Sequence, residues 1–316
     1  MEPVQIRSSR ADPPGRRPGR LIAAVAVTAV LAACGAAPGP TRTPAATGRA
    51  TVTSRSAAVT PAPAPGVPSF AHVVVVVEEN KTPAEVLGSG QAPWLSALAR
   101  SGASFDQSYA VAHPSEPNYL ALFAGATFGL RDDACPTGPY SAPDLVTTLH
   151  QATKTFVGYA EGLPAAGSTV CSAGDYARKH APWTDFPDAV AAGRPMTAFP
   201  ADPSNLPDVA FVVPDLADDM HDGSVAAGDR WLQQHLGAYA TWAAGHDSLL
   251  VVTFDEDDDS GPNRVVTVFA GAHVRTGAVT ERIDHVRVLA TVAAAVGAPA
   301  PGTAELAAPI TSVWTP

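Results

Sequence analysis

Unbroken β-branched runs alternate with helical-period stripes along most of this chain. His72–Val77 is a continuous apolar stretch of the kind that fills a strand covered on both faces. Val209–Val213 and Ser248–Phe254 predict two further buried strands, and Ser104–Val111, Thr155–Tyr159 and Arg264–Ala270 predict three more. Between them, Pro93–Arg100 reads as a short helix with Trp94, Leu95 and Leu98 on one face. Pro117–Phe123, Asp144–Ala152, Gly228–Ala244 and His285–Val296 also read as helical. Strand and helix in alternation imply an α/β fold, a three-layer α/β/α sandwich with a mostly parallel central sheet. In such sheets ligands bind outside the carboxyl ends of the strands.

The first 69 residues do not share this pattern. Residues 1–20 carry five arginines, and Leu21 to Ala33 follow as a run of apolar or small residues. That run is too short to cross a hydrocarbon core of about 30 Å, so residues 1–33 are expected to be a signal peptide. It closes on Leu31-Ala32-Ala33-Cys34-Gly35, which resembles the lipobox of bacterial lipoproteins, with Cys34 as the lipidated residue. An ordinary signal peptide with a chance cysteine is the alternative, and Arg16-Arg17 is a weak twin-arginine signal. Residues 34–69 are expected to form an extended linker, because Gly35 to Ser69 holds seven prolines and no Leu, Ile or aromatic residue. The globular domain is placed at 70–316. It is expected to be exported and tethered by its N-terminal lipid to the outer face of a bacterial cytoplasmic membrane, or secreted.

Composition narrows the choice of function. Of 316 residues, 46% are apolar and only 16% charged, against about 25% in an average soluble protein, so a large core is available. The formal net charge is −10, and without residues 1–33 there remain 15 basic against 28 acidic residues. Nucleic acid and anionic lipid surfaces require a basic face, so neither is expected as a partner. With Cys34 acylated, Cys135 and Cys171 remain, and in an exported domain two cysteines predict one disulfide.

Acidic residues collect at the ends of the predicted strands. The first strand runs into Glu78-Glu79-Asn80. The Val209–Val213 strand runs into Pro214-Asp215, followed by Asp218, Asp219, His221 and Asp222, and Ser248–Phe254 runs into Asp255-Glu256 and then Asp257–Asp259. Such carboxylates at one edge repel by several kcal/mol unless a cation sits among them. Mixed carboxylate, amide and imidazole donors suit Zn, Mn, Fe or Ca. Helix capping and loop filling are the competing explanation for any single cluster. Asp257–Asp259 is expected to be a solvated loop, and Glu161 either lines the pocket or faces water. His113-Pro114-Ser115-Glu116-Pro117-Asn118-Tyr119 follows a strand and opens a helix, which puts Ser115 among backbone donors suited to a phosphate. The chain has neither a GxSxG elbow nor a GxxxxGK[ST] loop, which disfavours an α/β-hydrolase serine enzyme and an ATPase.

At these residues the chain resembles the bacterial phosphoesterase family of secreted acid phosphatases and phospholipases C, within the alkaline-phosphatase-like superfamily. The likeness runs from about Ala71 to Val296. Its carriers are Val77-Glu78-Glu79-Asn80, the His113–Tyr119 block, Tyr176–Trp183, Val213-Pro214-Asp215 with Asp219–Gly223, Thr253–Glu256, and Asp284-His285. The resemblance implies that Glu79, Asn80, Asp255 and Glu256 hold one divalent ion, with Ser115 as a nucleophile that passes through phosphoserine. It implies a second ion on Asp215, His221 and His285, with Asp219 as an alternative to Asp215. It places His113 and His180 on the phosphoryl oxygens or the leaving group, and Asn118 as a donor to a phosphoryl oxygen. Glu116, Lys81-Thr82-Pro83 and Val286-Arg287 depart from the family pattern, and the last of these puts the second ion in doubt. The expected function is a metal-dependent phosphoesterase acting on phosphate esters. The alternatives are a phospholipase C or phosphodiesterase, and a non-catalytic metal- or phosphate-binding lipoprotein.

Overall fold

Five consecutive valines, Val73–Val77, fix the centre of the molecule, because a run with no polar position is stable only where both faces are covered. The computed structural model describes residues 66–315. The expected signal peptide, Cys34 and the linker up to residue 65 lie outside the described residues. Within residues 66–69, Val67 is already buried in the core, so the chain enters the fold slightly before Phe70.

The elements are, in order, β1 (His72–Glu78), α1 (Pro83–Val86), α2 (Pro93–Ser101), β2 (Ala103–Tyr109), α3 (Ser115–Ala124), α4 (Leu145–Gln151), β3 (Phe156–Ala160), the hairpin β4 (Ser172–Ala173) and β5 (Tyr176–Ala177), β6 (Gly193–Pro195), β7 (Val209–Val213), α5 (Val225–Ala243), β8 (Ser248–Phe254), β9 (Thr267–Gly271), β10 (Gly277–Asp284) and α6 (His285–Ala295). Among the described residues, eight strands form one sheet in the order β10-β2-β9-β8-β1-β7-β3-β6. β1 pairs in parallel with β7 on one side and β8 on the other, and β9 alone runs antiparallel to its neighbours β8 and β2.

Alternation along β1 feeds two cores. Val73, Val75 and Val77 pack with Tyr119, Leu145 and Val288 from α3, α4 and α6. Val74 and Val76 pack with Leu95, Leu98, Trp231 and Leu232 from α2 and α5. This is the three-layer, mostly parallel arrangement expected. The strand readings needed revision at β9, and β4, β5, β6 and β10 were absent from them. β9 begins at Thr267 rather than Arg264, because Arg264 instead bridges Tyr109 outside the named strands. β10 was not anticipated, since only Val279 and Ile283 of its eight residues are buried and the rest carry an edge strand's polar face.

Close approach of elements is set by glycine at Gly158 in β3. A Cβ there would lie 2.4 Å from the Trp183 indole, which is itself fully buried. Cys135 and Cys171 are disulfide-bonded with Cα atoms 5.8 Å apart, as expected, tying the loop after α3 to the β4 hairpin.

Candidate active site

The carboxyl ends of β1, β7 and β8 lie side by side, so the chain leaving each strand delivers its acids to one mouth. Backbone bonds lock these exits together. The Glu79 amide donates to the Asp219 carbonyl at 2.8 Å, and the Asp255 amide donates to the Glu78 carbonyl at 2.9 Å. Asn80 takes a left-handed conformation (φ 52°) that Asn tolerates, and its amide donates to Asp255 Oδ1 at 3.1 Å. Glu78 is fully buried with neither carboxylate oxygen bonded, and burial first, then Asp219 and Asp218, push its pKa well up.

Ser115 is the first residue of α3, a helix with all ten residues buried. Its hydroxyl donates to Glu79 Oε2 at 3.1 Å and to Glu256 Oε1 at 3.3 Å. Ser115, Glu79, Asn80, Asp255 and Glu256, five positions from three distant stretches, are thus brought together. Glu79 is further held by the Tyr119 hydroxyl, which donates to Oε1 at 2.5 Å.

The expected histidines divide by position. His113 stands at the rim with its side chain 32% exposed, Nδ1 2.6 Å from Glu256 Oε2 and Nε2 3.4 Å from Asp257 Oδ1. His180 was expected at the phosphoryl group but is buried inside the acid cluster. Its Nε2 lies 3.1 Å from Glu79 Oε1 and its Nδ1 3.2 Å from Asp219 Oδ2, and its ring stacks on Tyr119 with centroids 5.1 Å apart. Burial drives its pKa well below the ordinary value, which disfavours the imidazolium. His285 is buried too, with Nε2 2.6 Å from the Asp255 carbonyl; it braces the β8 exit. His221 bonds Asp222 through Nδ1 at 2.8 Å, and its Nε2 faces Lys179 Nζ at 3.5 Å.

Three further expectations meet a different geometry. Asp215 groups with Glu161 and Asp218, while Asp219 groups with Glu79 and His180, so the alternative residue is the one inside the site. Asn118 spends its amide on the serine loop. Oδ1 accepts from the Val111 and Ala112 amides, both at 3.0 Å, and Nδ2 donates to the Ala112 carbonyl at 2.9 Å and also reaches Glu256 Oε2 at 3.5 Å, so it ties the serine loop to the acid cluster. Asp257, expected in a solvated loop, is buried and accepts from the Asp259 and Asn263 amides, whereas Asp258 and Asp259 are exposed.

The electrostatics ask for a cation. Burial first, then Asp255 and Asp219, push Glu79 well above the ordinary carboxylate range. Burial raises Asp219 to about 8. Asp255 is pushed to about 7 by burial and then by Glu256, and Glu256 to about 7 chiefly by burial. Asn80 Oδ1 and Asp255 Oδ2 are buried without a hydrogen-bond partner, and the close contacts of His180 Nε2 with Glu79 Oε1 and of Asp219 Oδ2 with His180 Nδ1 lack hydrogen-bond geometry. Orphaned oxygens and an imidazole nitrogen among acids that would otherwise have to hold protons are the donor set a divalent cation needs, so the residues present fit one.

Residues that sequence reasoning missed are Tyr119, Lys179 and Asp133. Tyr119 and Lys179 stand inside the blocks that carry the resemblance, but spacing alone does not show that Tyr119 turns toward Glu79 or that Lys179 meets Asp133 and His221. Asp133 follows Asp132 in a loop with no regular pattern.

Comparison with known proteins gives the family and the fold. Residues 87–299 match the model of the Phosphoesterase family. The chain is 53% identical over 255 residues to a phosphatidylinositol-3-phosphatase of Mycobacterium tuberculosis, covering 79% of this chain and 85% of that one. It is 31% identical over 239 residues to a phosphate-repressible acid phosphatase of Penicillium chrysogenum, covering 66% of this chain and 55% of the relative. An alkaline phosphatase superfamily protein from Vibrio parahaemolyticus shares the fold at a TM-score of 0.54 and 12% identity, over 75% of this chain and 68% of that chain. The chain therefore belongs to the Phosphoesterase family, with an alkaline-phosphatase-like fold, and is a phosphoric ester hydrolase.

Proposed function

We propose that the protein is a metal-dependent phosphomonoesterase, acid-phosphatase-like, that works through a phosphoserine on Ser115. The observation that carries this reading is the convergence of the Ser115 hydroxyl, at 3.1 Å and 3.3 Å, on two carboxylates of a cluster with orphaned donors. Glu79, Asn80, Asp255 and Glu256 would hold the cation, joined by Asp219 and His180. When bound, it supplies positive charge that stabilises the Ser115 oxygen and the phosphoryl oxygens.

The chain's own groups supply the rest. Ser115 is fixed at the start of a rigid buried helix, so its oxygen is aimed before substrate arrives. Its proton lies on a bond to Glu256, whose other oxygen contacts His113 Nδ1 at 2.6 Å, giving a path from the nucleophile to a rim histidine. Ser115 Oγ bonds to phosphorus as the ester P–O bond breaks, and His113 gives the proton to the departing alcohol. Water then attacks the phosphoserine with His113 accepting its proton, which releases inorganic phosphate and restores Ser115 with a proton returned through Glu256.

A monoesterase is favoured over a phospholipase C. Among the described residues the large apolar side chains exposed to solvent are Val111, Val170 and Leu306, fewer than a lipid-docking patch of several hundred Å² presents. The name of the Mycobacterium tuberculosis relative makes a phosphoinositide monoester a reasonable first substrate to try. Export and lipidation at Cys34 belong to the same proposal. They are supported by the basic and apolar run before Cys34 and by the disulfide, which suits an oxidising compartment.

The test is hydrolysis of p-nitrophenyl phosphate by the purified chain, with and without EDTA, beside Ser115→Ala. Turnover that EDTA removes and the variant lacks is expected. Full turnover by Ser115→Ala would remove the nucleophile from the account.

A further inference from the structure

A phosphomonoester brings two negative charges to a mouth already lined by acids, so a cationic side chain has to meet it beside any metal. Resting on the phosphomonoesterase reading above, we propose that Lys179 is the substrate-binding residue that selects the dianionic phosphoryl group, and that the Asp133 carboxylate occupies this place in the free enzyme.

Lys179 Nζ lies 2.9 Å from Asp133 Oδ2 and 3.5 Å from His221 Nε2, and Asp133 in turn reaches the Glu116 amide next to Ser115, which sets the ammonium one carboxylate away from the nucleophile's end of α3. Its neighbour Arg178 turns the other way and is spent on the buried Asp185 carboxylate and the Thr184 carbonyl. Lys179 keeps 19% of its side chain open to solvent, so a ligand arriving at the mouth can reach it.

Asp133 shows what this position binds. Its Oδ2 accepts from Lys179 Nζ at 2.9 Å, and its Oδ1 accepts from the Glu116 amide at 2.9 Å. Glu116 follows Ser115 in the first turn of α3. One carboxylate therefore bridges an ammonium and a helix N-terminal amide directly beside the nucleophile. A phosphoryl group being transferred to Ser115 needs the same two kinds of donor in the same place. Asp133 sits two residues before Cys135 of the disulfide, on a loop outside the regular elements, where it can yield to a dianion. Displacement exchanges one acceptor for another and leaves both donors satisfied.

The experiment measures kcat and KM for p-nitrophenyl phosphate and for bis(p-nitrophenyl) phosphate, and the inhibition constant of inorganic phosphate, in wild type, Lys179→Met, Lys179→Arg and Asp133→Asn. A hydrogen bond between charged partners predicts that Lys179→Met raises the monoester KM and the phosphate inhibition constant by about 10- to 100-fold. The monoanionic diester loses much less, and Lys179→Arg recovers most of the loss. Asp133→Asn removes a competing negative charge and is expected to tighten inorganic phosphate several-fold, a sign that a merely structural role would not give. Equal losses on both esters in Lys179→Met, or weaker phosphate binding in Asp133→Asn, overturns the proposal. If Lys179→Met does not fold, the direction of the Asp133→Asn change decides alone. A wild-type protein that hydrolyses neither ester defeats the underlying reading instead, so the two failures are distinct.

Discussion

Metal-free protein should lose stability as pH rises, the opposite of a typical salt-bridged protein. Asp219 stands at about 8, and Asp255 and Glu256 at about 7, against about 4 for the same groups in an unfolded chain. Between about pH 5 and 7 the folded state thus holds protons that the unfolded chain has released. Stability falls where the native state binds more protons, at about 1.4 kcal/mol per pH unit for each group. These three groups contribute at most about 4 kcal/mol per pH unit; Glu78, Glu79 and Glu116 are raised too and act in the same sense, while the lowered His180 and His285 oppose it below about pH 6.5, which leaves a net fall that is large against a total of about 5–15 kcal/mol. For a domain of this size that corresponds to about 10 °C in Tm per unit. A bound divalent ion replaces those protons and removes the slope. The assay is thermal unfolding by circular dichroism from pH 5 to 8, in EDTA and in excess divalent cation. The account predicts converging curves at pH 5 and a widening gap toward pH 7. A metal-free Tm that is flat or rises over that range would refute the reasoning.

Other parts of the structure make narrower demands. Gly158→Ala puts a methyl group 2.4 Å from the Trp183 indole and should cost about 1–3 kcal/mol or more in urea unfolding, with near-wild-type stability counting against the packing described. Asp229 accepts from the Trp94 and Leu95 amides at 3.0 Å and 2.8 Å, so it caps α2 from another helix; Asp229→Ala should cost about 1–2 kcal/mol without changing KM. The Cys135–Cys171 bridge spans 36 residues, and a Cys135→Ser/Cys171→Ser double variant should lose about 4 kcal/mol by loop entropy, read as a lower midpoint in guanidinium.

Much of the fold could be read from the sequence because its strongest signals are local. The valine run of β1 and the apolar runs of β7 and β8 admit only strands covered on both faces, and their acidic exits mark where the ligand edge must lie. The resemblance then singled out Glu79, Asn80, Asp255 and Glu256 from those exits, and Ser115 from the block that opens α3. What stayed hidden depends on side-chain direction. Nothing in a motif shows that His180 turns inward to lie between Glu79 and Asp219, that Asn118 spends its amide on its own loop, or that Asp219 rather than Asp215 faces Glu79. β10 escaped because it lies at the sheet edge, where burying only Val279 and Ile283 leaves little periodic signal. Asp133 escaped because its importance lies in two contacts made across the fold, to Lys179 and to the Glu116 amide.

The central claim is a divalent cation held beside Ser115, and metal content measures it most directly. Elemental analysis by plasma mass spectrometry is made on dialysed wild type and on a Glu79→Gln/Asp255→Asn variant whose circular dichroism shows it folded. The account predicts a divalent metal that stays with the wild type through dialysis, is absent from the variant, and is required for p-nitrophenyl phosphate turnover. A variant that keeps the metal, or a stripped wild type that turns over at full rate, would contradict it.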